Sequence, residues 1–237
     1  MLFQSSPVNK KTFFSLWIFC IIGAWAILPY IRYAGIVPSS IPLLKIFILT
    51  TVQASLFFGV ICWLSYKIIP KTDLRPFLKH TFKQIAYPAI IAGIVVGFAI
   101  FLFDKTIFHS SLLSGAHPPF WSGVLASIYG AFNEEVLLRL FLFTLLYFLL
   151  RKCIKFGVHK KIYALWTVNI LVALVFGLGH LPAAFKLTSP SAFEISRILF
   201  LNGIAGIVFG WLYWSRGLWT AIAAHFVADL MIHVFLI

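Results

Sequence analysis

A chain of 237 residues that is 62% hydrophobic, 18% aromatic and only 11% charged has too little polar surface to cover a water-soluble globule of its size. Its net charge of +13 does not point to nucleic acid, because the basic residues sit in short loops between apolar runs instead of forming a patch or stripe. The composition places the chain in a bilayer.

A helix needs about 20 mostly apolar residues to cross the hydrocarbon. Seven such runs follow one another, at 12–31, 46–66, 85–103, 119–150, 162–185, 198–215 and 217–237. Strand-sized alternating segments are missing, which argues against an outer-membrane barrel. The expected fold is all-α, a polytopic transmembrane helix bundle of about seven spans, within six to eight, forming a single domain over 1–237.

The first run has signal-peptide features, with Lys10-Lys11 ahead of it and Ala24-Trp25-Ala26 within it. Apolar residues continue through Ile31, however, and the chain beyond is polytopic, so an uncleaved first span is expected. The loop 67–84 carries Lys67, Lys71, Arg75, Lys79 and Lys83, and the loop 151–161 carries Arg151, Lys152, Lys155, Lys160 and Lys161. With Lys10 and Lys11 these share one side under a seven-span count. The other side holds only Arg32, Lys105, Lys186 and Arg197 near it, so the N-terminus is expected in the cytoplasm. In the third and sixth runs, Gly93-x-x-x-Gly97 and Gly206-x-x-x-Gly210 read as close helix packing. The fourth run exceeds one vertical span and predicts a tilt, or a partly submerged start after Pro118-Pro119. Trp211, Tyr213, Trp214 and Trp219 read as an interfacial belt, and Asn169 and Asn202 as helix-to-helix hydrogen bonds. Cys20, Cys62 and Cys153 are scattered and form neither a C-x-x-C pair nor a disulfide framework.

The chain has six acids, and Glu134, Glu135 and Asp229 fall inside predicted spans. There an ionisable group costs at least about 2.5–3.5 kcal/mol at the helix centre. Glu135 and Arg139 are four apart and share a helix face. Glu134 points about 100° away and needs another partner. The candidates are His180, at the end of Phe176-Gly177-Leu178-Gly179-His180, and the pair His225 and Asp229, one turn apart in the seventh run, with His233 extending that face.

Glu134-Glu135-x-x-x-Arg139, Phe176-x-x-x-His180 and His225-x-x-x-Asp229, in that order on successive hydrophobic helices, resemble the three motifs of the CAAX protease and bacteriocin-processing family, also called the Abi family. Its eukaryotic branch contains the prenyl-protein endoprotease. The resemblance covers about 119–237 and implies a catalytic core there, with 1–118 as accessory spans. It implies an intramembrane endopeptidase acting on a membrane-embedded or lipid-anchored protein or peptide, and a bacterial inner-membrane location is expected.

Peptide hydrolysis needs an activated water, a proton donor for the leaving amine and donors for the oxyanion. A desolvated glutamate with a neighbouring histidine suits the first task, which pairs Glu134 with His180. The resemblance implies the same assignment, with His225 on the oxyanion and Glu135 and Arg139 in support. Asp229 departs from the eukaryotic branch, which carries asparagine there. It has three open roles: a protonated carboxyl, an acceptor that fixes the His225 tautomer, or a metal ligand. No cofactor is expected in the preferred mechanism; the alternative is zinc held by Glu134, His180, His225 and Asp229. H-E-x-x-H, G-x-S-G and G-x-G-D motifs are absent, which disfavours three other intramembrane protease classes.

Two other functions stay open on the sequence, a proton- or ion-coupled carrier and a non-catalytic immunity protein against a peptide toxin. There is also a geometric condition. Counting 1.5 Å per residue from helix ends at 151, 162 and 217 puts Glu134 and His180 at about 25 Å depth but His225 at about 12 Å. Their meeting requires a deep turn at Trp214-Ser215-Arg216-Gly217 or a strong tilt of the fourth helix.

Overall fold

Ordinary helix signals set the element ends. In the computed structural model, which describes residues 9–108, 118–154 and 160–236, Asn9 caps α1 (Lys10–Ala26) by accepting from the Lys11 amide. After Ile27 the chain continues as α2 (Leu28–Tyr33), with Pro29 in its first turn. The Arg32 guanidinium then donates to the carbonyls of Ser39 and Ile41, which folds the link to α3 (Leu43–Ile68). Thr81 and Gln84 form a capping box that opens α4 (Phe82–Phe103).

The fourth span is helical from Phe120 to Cys153 but not uniformly α. It runs as α5 (Phe120–Tyr129), a π-helical stretch Gly130–Glu134, a second π-helical stretch Val136–Phe143, and α6 (Thr144–Cys153). Then come α7 (Lys161–Leu187), α8 (Ala192–Arg216), opened by a Ser191 and Glu194 capping box, and α9 (Leu218–Leu230), which ends in a π turn, Met231–Phe235. The expectation of an all-α bundle of seven spans holds, with no strand among the described residues. Six segments are long and apolar enough to cross a membrane on their own, from Lys10–Tyr33 to Leu218–Phe235. The seventh is the π-interrupted helix that carries Glu134, Glu135 and Arg139.

Glycine governs the closest packing. Gly93 and Gly97 let α4 lie against α9, where a Cβ would overlap Val227 and Met231. Gly206 brings α8 onto Ala173 of α7, and Gly210 makes room for the Asn169 side chain, which donates to the Ile207 carbonyl at 2.9 Å. Both glycine pairs serve packing inside the bundle, as read from the sequence. Asn169 bonds across helices as expected. Asn202 does not, because its amide returns to the Ile198 carbonyl of its own helix.

The two ends of the bundle are fastened by ion pairs. At one end Asp73 meets Arg151 and Lys161, each at 2.6 Å, and accepts from the Tyr147 hydroxyl at 2.9 Å. The loops read as the basic side of the membrane therefore share an end, although Lys155 lies outside the described residues. At the other end Arg197 pairs with Asp104, and Phe108 packs on Phe193. One reading needs correction: Tyr213 does not belong to an interfacial belt. It is fully buried, with its hydroxyl 2.7 Å from that of Thr144, because a phenol can satisfy its polar tip on a neighbouring helix as well as in the headgroups.

Candidate active site

The turn between α8 and α9 decides whether the motif residues can meet. Gly217, at φ 89°, closes α8 and starts α9 within one residue. The Leu218 amide donates to the Pro76 carbonyl at 2.8 Å, and Trp214 packs edge-on against Trp166 with centroids 6.0 Å apart. Trp166 lies five residues inside α7, about 7.5 Å below its start. These contacts set the turn against the 67–84 loop and the first turns of α7, and from there α9 carries His225 to Glu135 and Glu134. The π stretches shorten the rise between Arg151 and Glu134, since wider turns rise less per residue.

The centre is built around His225, which is 3% exposed. Its Nδ1 lies 2.8 Å from Glu135 Oε1. Its Nε2 lies 3.5 Å from Asp229 Oδ1 and 3.8 Å from Glu134 Oε2. Because a carboxylate only accepts, Nδ1 carries a proton toward Glu135 and Nε2 faces the other two acids. Phe209 stacks on the ring at 4.6 Å and 21°, and Phe176 meets it edge-on at 5.7 Å.

Glu135 and Arg139 pair as their spacing predicts, at 3.0 Å with both side chains fully buried. Arg139 also donates to the Gly206 carbonyl at 3.2 Å, and its guanidinium lies 5.0 Å from the Phe176 ring centroid and 5.7 Å from that of Phe209. A buried cation is thus met by one carboxylate, one carbonyl and two aromatic faces. Helical spacing assigns Glu135 only the arginine; the structure adds His225. It also joins His225 to Asp229 and brings Glu134 beside them.

His180 occupies the last turns of α7. Its Nδ1 is 2.9 Å from the Phe176 carbonyl, which only accepts, so the Nδ1 proton is committed and a neutral ring keeps its lone pair on Nε2. Glu134 itself is 23% exposed at its side chain, unlike Glu135, and no lysine or arginine forms an ion pair with it among the described residues. The arrangement leaves Glu134 partly accessible beside His225, and among the described residues no ion pair joins it to His180.

Several contributors were not evident from the motifs. Gly130 sits where a Cβ would overlap Asp229 Oδ2 and approach His225 Nε2 at 3.2 Å, so only a residue without a side chain fits there. A glycine one turn before the paired acids was the available signal. Asn133, buried beside Glu134, donates to the Cys20 carbonyl at 2.7 Å and ties the site to α1. Phe209 carried no signal beyond being aromatic. Glu134, His180, His225 and Asp229 were also the expected zinc set in the alternative reading. Among the described residues, no group of three or more His, Cys, Asp and Glu side chains is arranged to hold a metal ion.

A helical membrane bundle with a buried centre of carboxylates and imidazoles is the class defined by this fold and site. Residues 116–231 match the model of the Rce1-like type II CAAX prenyl endopeptidase family. No curated protein matches the chain. No solved structure matches it. The protein is an integral, multi-pass membrane protein.

Proposed function

We propose that the chain is an intramembrane endopeptidase in which Glu134 and His180 activate a water molecule. The observation that carries this reading is the contrast between adjacent acids. Glu135 is bound through Oε1 to both Arg139 and His225, whereas Glu134 pairs with no lysine or arginine among the described residues, keeps 23% of its side chain exposed and stands 3.8 Å from His225 Nε2.

In this mechanism a water proton passes to the Glu134 carboxylate, with His180 Nε2 orienting the water. The resulting hydroxide attacks the scissile carbonyl carbon. His225, acting as an imidazolium, keeps its Nδ1 proton on Glu135 and turns its Nε2 proton toward the developing oxyanion. Collapse of the tetrahedral adduct breaks the C–N bond, and the proton on Glu134 goes to the leaving amine. Asp229 orients His225. No step runs through a metal.

The substrate is a membrane-embedded or lipid-anchored chain end. The family match supports a prenylated or otherwise membrane-held peptide. We place the protein in a bacterial inner membrane with its N-terminus in the cytoplasm, in a processing or peptide-immunity role, on the strength of its basic loops. The test compares C-termini in membranes containing wild-type protein, Glu134→Gln or His180→Ala at equal accumulation. Glu134-dependent new termini, reduced about 10²–10⁴-fold in either variant, are expected. Termini that persist in both variants would remove the assignment.

A further inference from the structure

Asn202 is a polar side chain inside a span, yet it ties no helix to another. It stands ten residues after Ala192, the first residue of α8, about 15 Å along the helix. Its Nδ2 donates to the Ile198 carbonyl of the same helix at 2.8 Å. Among the described residues nothing donates to its Oδ1, and that oxygen is not buried. Asn169 of α7 is by contrast fully buried and bonds across to α8.

The neighbours of Asn202 on its helix face look into the bundle. Gly206 and Phe209, four and seven residues on, share that face. Gly206 packs on Ala173 of α7 with the Phe176 ring beside it, and Phe209 stacks on His225 of α9. Leu199, three residues before Asn202, rests on Gly177. These contacts set Asn202 opposite α7 at the level of Phe176, whose carbonyl lies 2.9 Å from His180 Nδ1. An inward side chain whose oxygen stays accessible borders an open space. Glu134 and Asp229, 23% and 15% exposed, are accessible inside the bundle as well.

Attack of water on a peptide carbonyl requires an unwound substrate, and unwinding inside a bilayer leaves backbone N–H and C=O groups without partners. An extended residue turns both groups to the same side. The Asn202 amide still has one Nδ2 hydrogen and its Oδ1 lone pairs to offer. We propose that Asn202 binds the extended substrate backbone, with Oδ1 accepting from the N–H of one residue and Nδ2 donating to the carbonyl of the same residue. Asn202 and Phe209 are separated by about 10.5 Å along α8, and an extended chain advances about 3.3 Å per residue. The residue held by Asn202 is therefore about three positions from the one at His225. The inference rests on the peptidase reading above and adds a binding residue outside the three motifs.

The test uses a synthetic peptide that ends in a farnesylated cysteine and three further residues, presented in detergent micelles. Asn202→Leu should raise KM about tenfold, the effect of one or two hydrogen bonds, with kcat changed less than about twofold. The thermal midpoint should stay as in wild type, whereas a packing role would lower it. N-methylation of the peptide at one backbone nitrogen within about three residues of the scissile bond should raise KM of wild type by a similar factor, and that of Asn202→Leu less than about twofold. An unchanged KM, or an equal cost of every N-methyl group in both proteins, would overturn the inference. A second readout needs no cleavage. In a Cys153→Ser background the remaining cysteines, Cys20 and Cys62, are buried. There Asn202→Cys should react with a small charged methanethiosulfonate, and the peptide should slow that reaction in the Glu134→Gln protein. A thiol at 202 that the reagent does not reach, or that the peptide does not protect, would equally overturn it. If wild type shows no Glu134-dependent cleavage, the peptidase reading fails, while accessibility and protection at 202 still decide whether the peptide lies there.

Discussion

Glu135 Oε1 lies 2.8 Å from His225 Nδ1 and 3.0 Å from Arg139 Nη1, so one carboxylate oxygen joins the guanidinium of the fourth span to the imidazole of the last. That oxygen fixes which nitrogen of His225 faces Glu134 and Asp229. The acid read as a structural partner of an arginine also orients the His225 ring.

Replacing Glu135 should therefore show two separable effects. Glu135→Ala leaves the Arg139 cation buried without its carboxylate and should destabilise the bundle by about 3–5 kcal/mol, visible as poor accumulation and a lower midpoint in thermal unfolding. Glu135→Gln retains a carbonyl acceptor and should accumulate better, yet lose most activity. An active Glu135→Gln protein would show that orientation of His225 does not depend on the charge.

Gly130→Ala is a steric test of the same centre. Its Cβ would overlap Asp229 Oδ2, so the pair of α9 side chains must move from Glu134 or the helix must shift. Displacements of about 1 Å at a reacting centre cost about 10²-fold in rate. Cleavage should fall by that order while gel filtration and helical circular dichroism stay as in wild type.

The metal-free mechanism predicts that exhaustive chelation leaves cleavage intact and that Asp229→Asn is tolerated, since asparagine can both accept and donate. Elemental analysis of the purified protein checks this directly. A stoichiometric metal, lost in His225→Ala and required for turnover, would replace the glutamate mechanism with a metal one.

Asp73 governs acid stability at the other level of the bundle. Its partial burial raises the carboxyl's proton affinity, but hydrogen bonds from Lys161 and Tyr147 and the charges of Lys161 and Arg151 outweigh it and hold the carboxyl below its ordinary value of 3.8. A group with a depressed folded pKa adds stability above its unfolded pKa and loses it as pH falls through the folded value. Thermal midpoints in detergent should therefore drop between about pH 4 and pH 2, and Asp73→Asn should flatten that limb. The pair is half-exposed, so the change should be small and should shrink with salt.

How much of this was legible in the sequence varies with the kind of interaction. The spans and glycine contacts could be read because hydrophobic length and the i, i+4 spacing of small residues are one-dimensional patterns. Glu135 with Arg139, and His225 with Asp229, followed the same rule. The π stretches at Gly130–Glu134 and Val136–Phe143 could not be read, because an all-round apolar helix gives the same composition at either pitch. With the helix pitch unknown, counting residues misplaced the depths of Glu134 and His225. The bond between Glu135 and His225 spans 90 positions, and no local spacing encodes it. Tyr213 was misread for a related reason, since its burial depends on Thr144 of another helix.

The contact between α1 and the fourth span has a consequence for how the two halves of the chain can diverge. Asn133 is held by the main-chain carbonyl of Cys20, and Gly23 lies so close that a Cβ would overlap the Asn133 side chain. What the first span offers to the neighbour of Glu134 is thus a peptide oxygen and an empty position. A small apolar residue at 20 provides the oxygen, and at this contact position 23 must stay small. The first span can therefore change at most of its other apolar positions and still hold Asn133 beside Glu134.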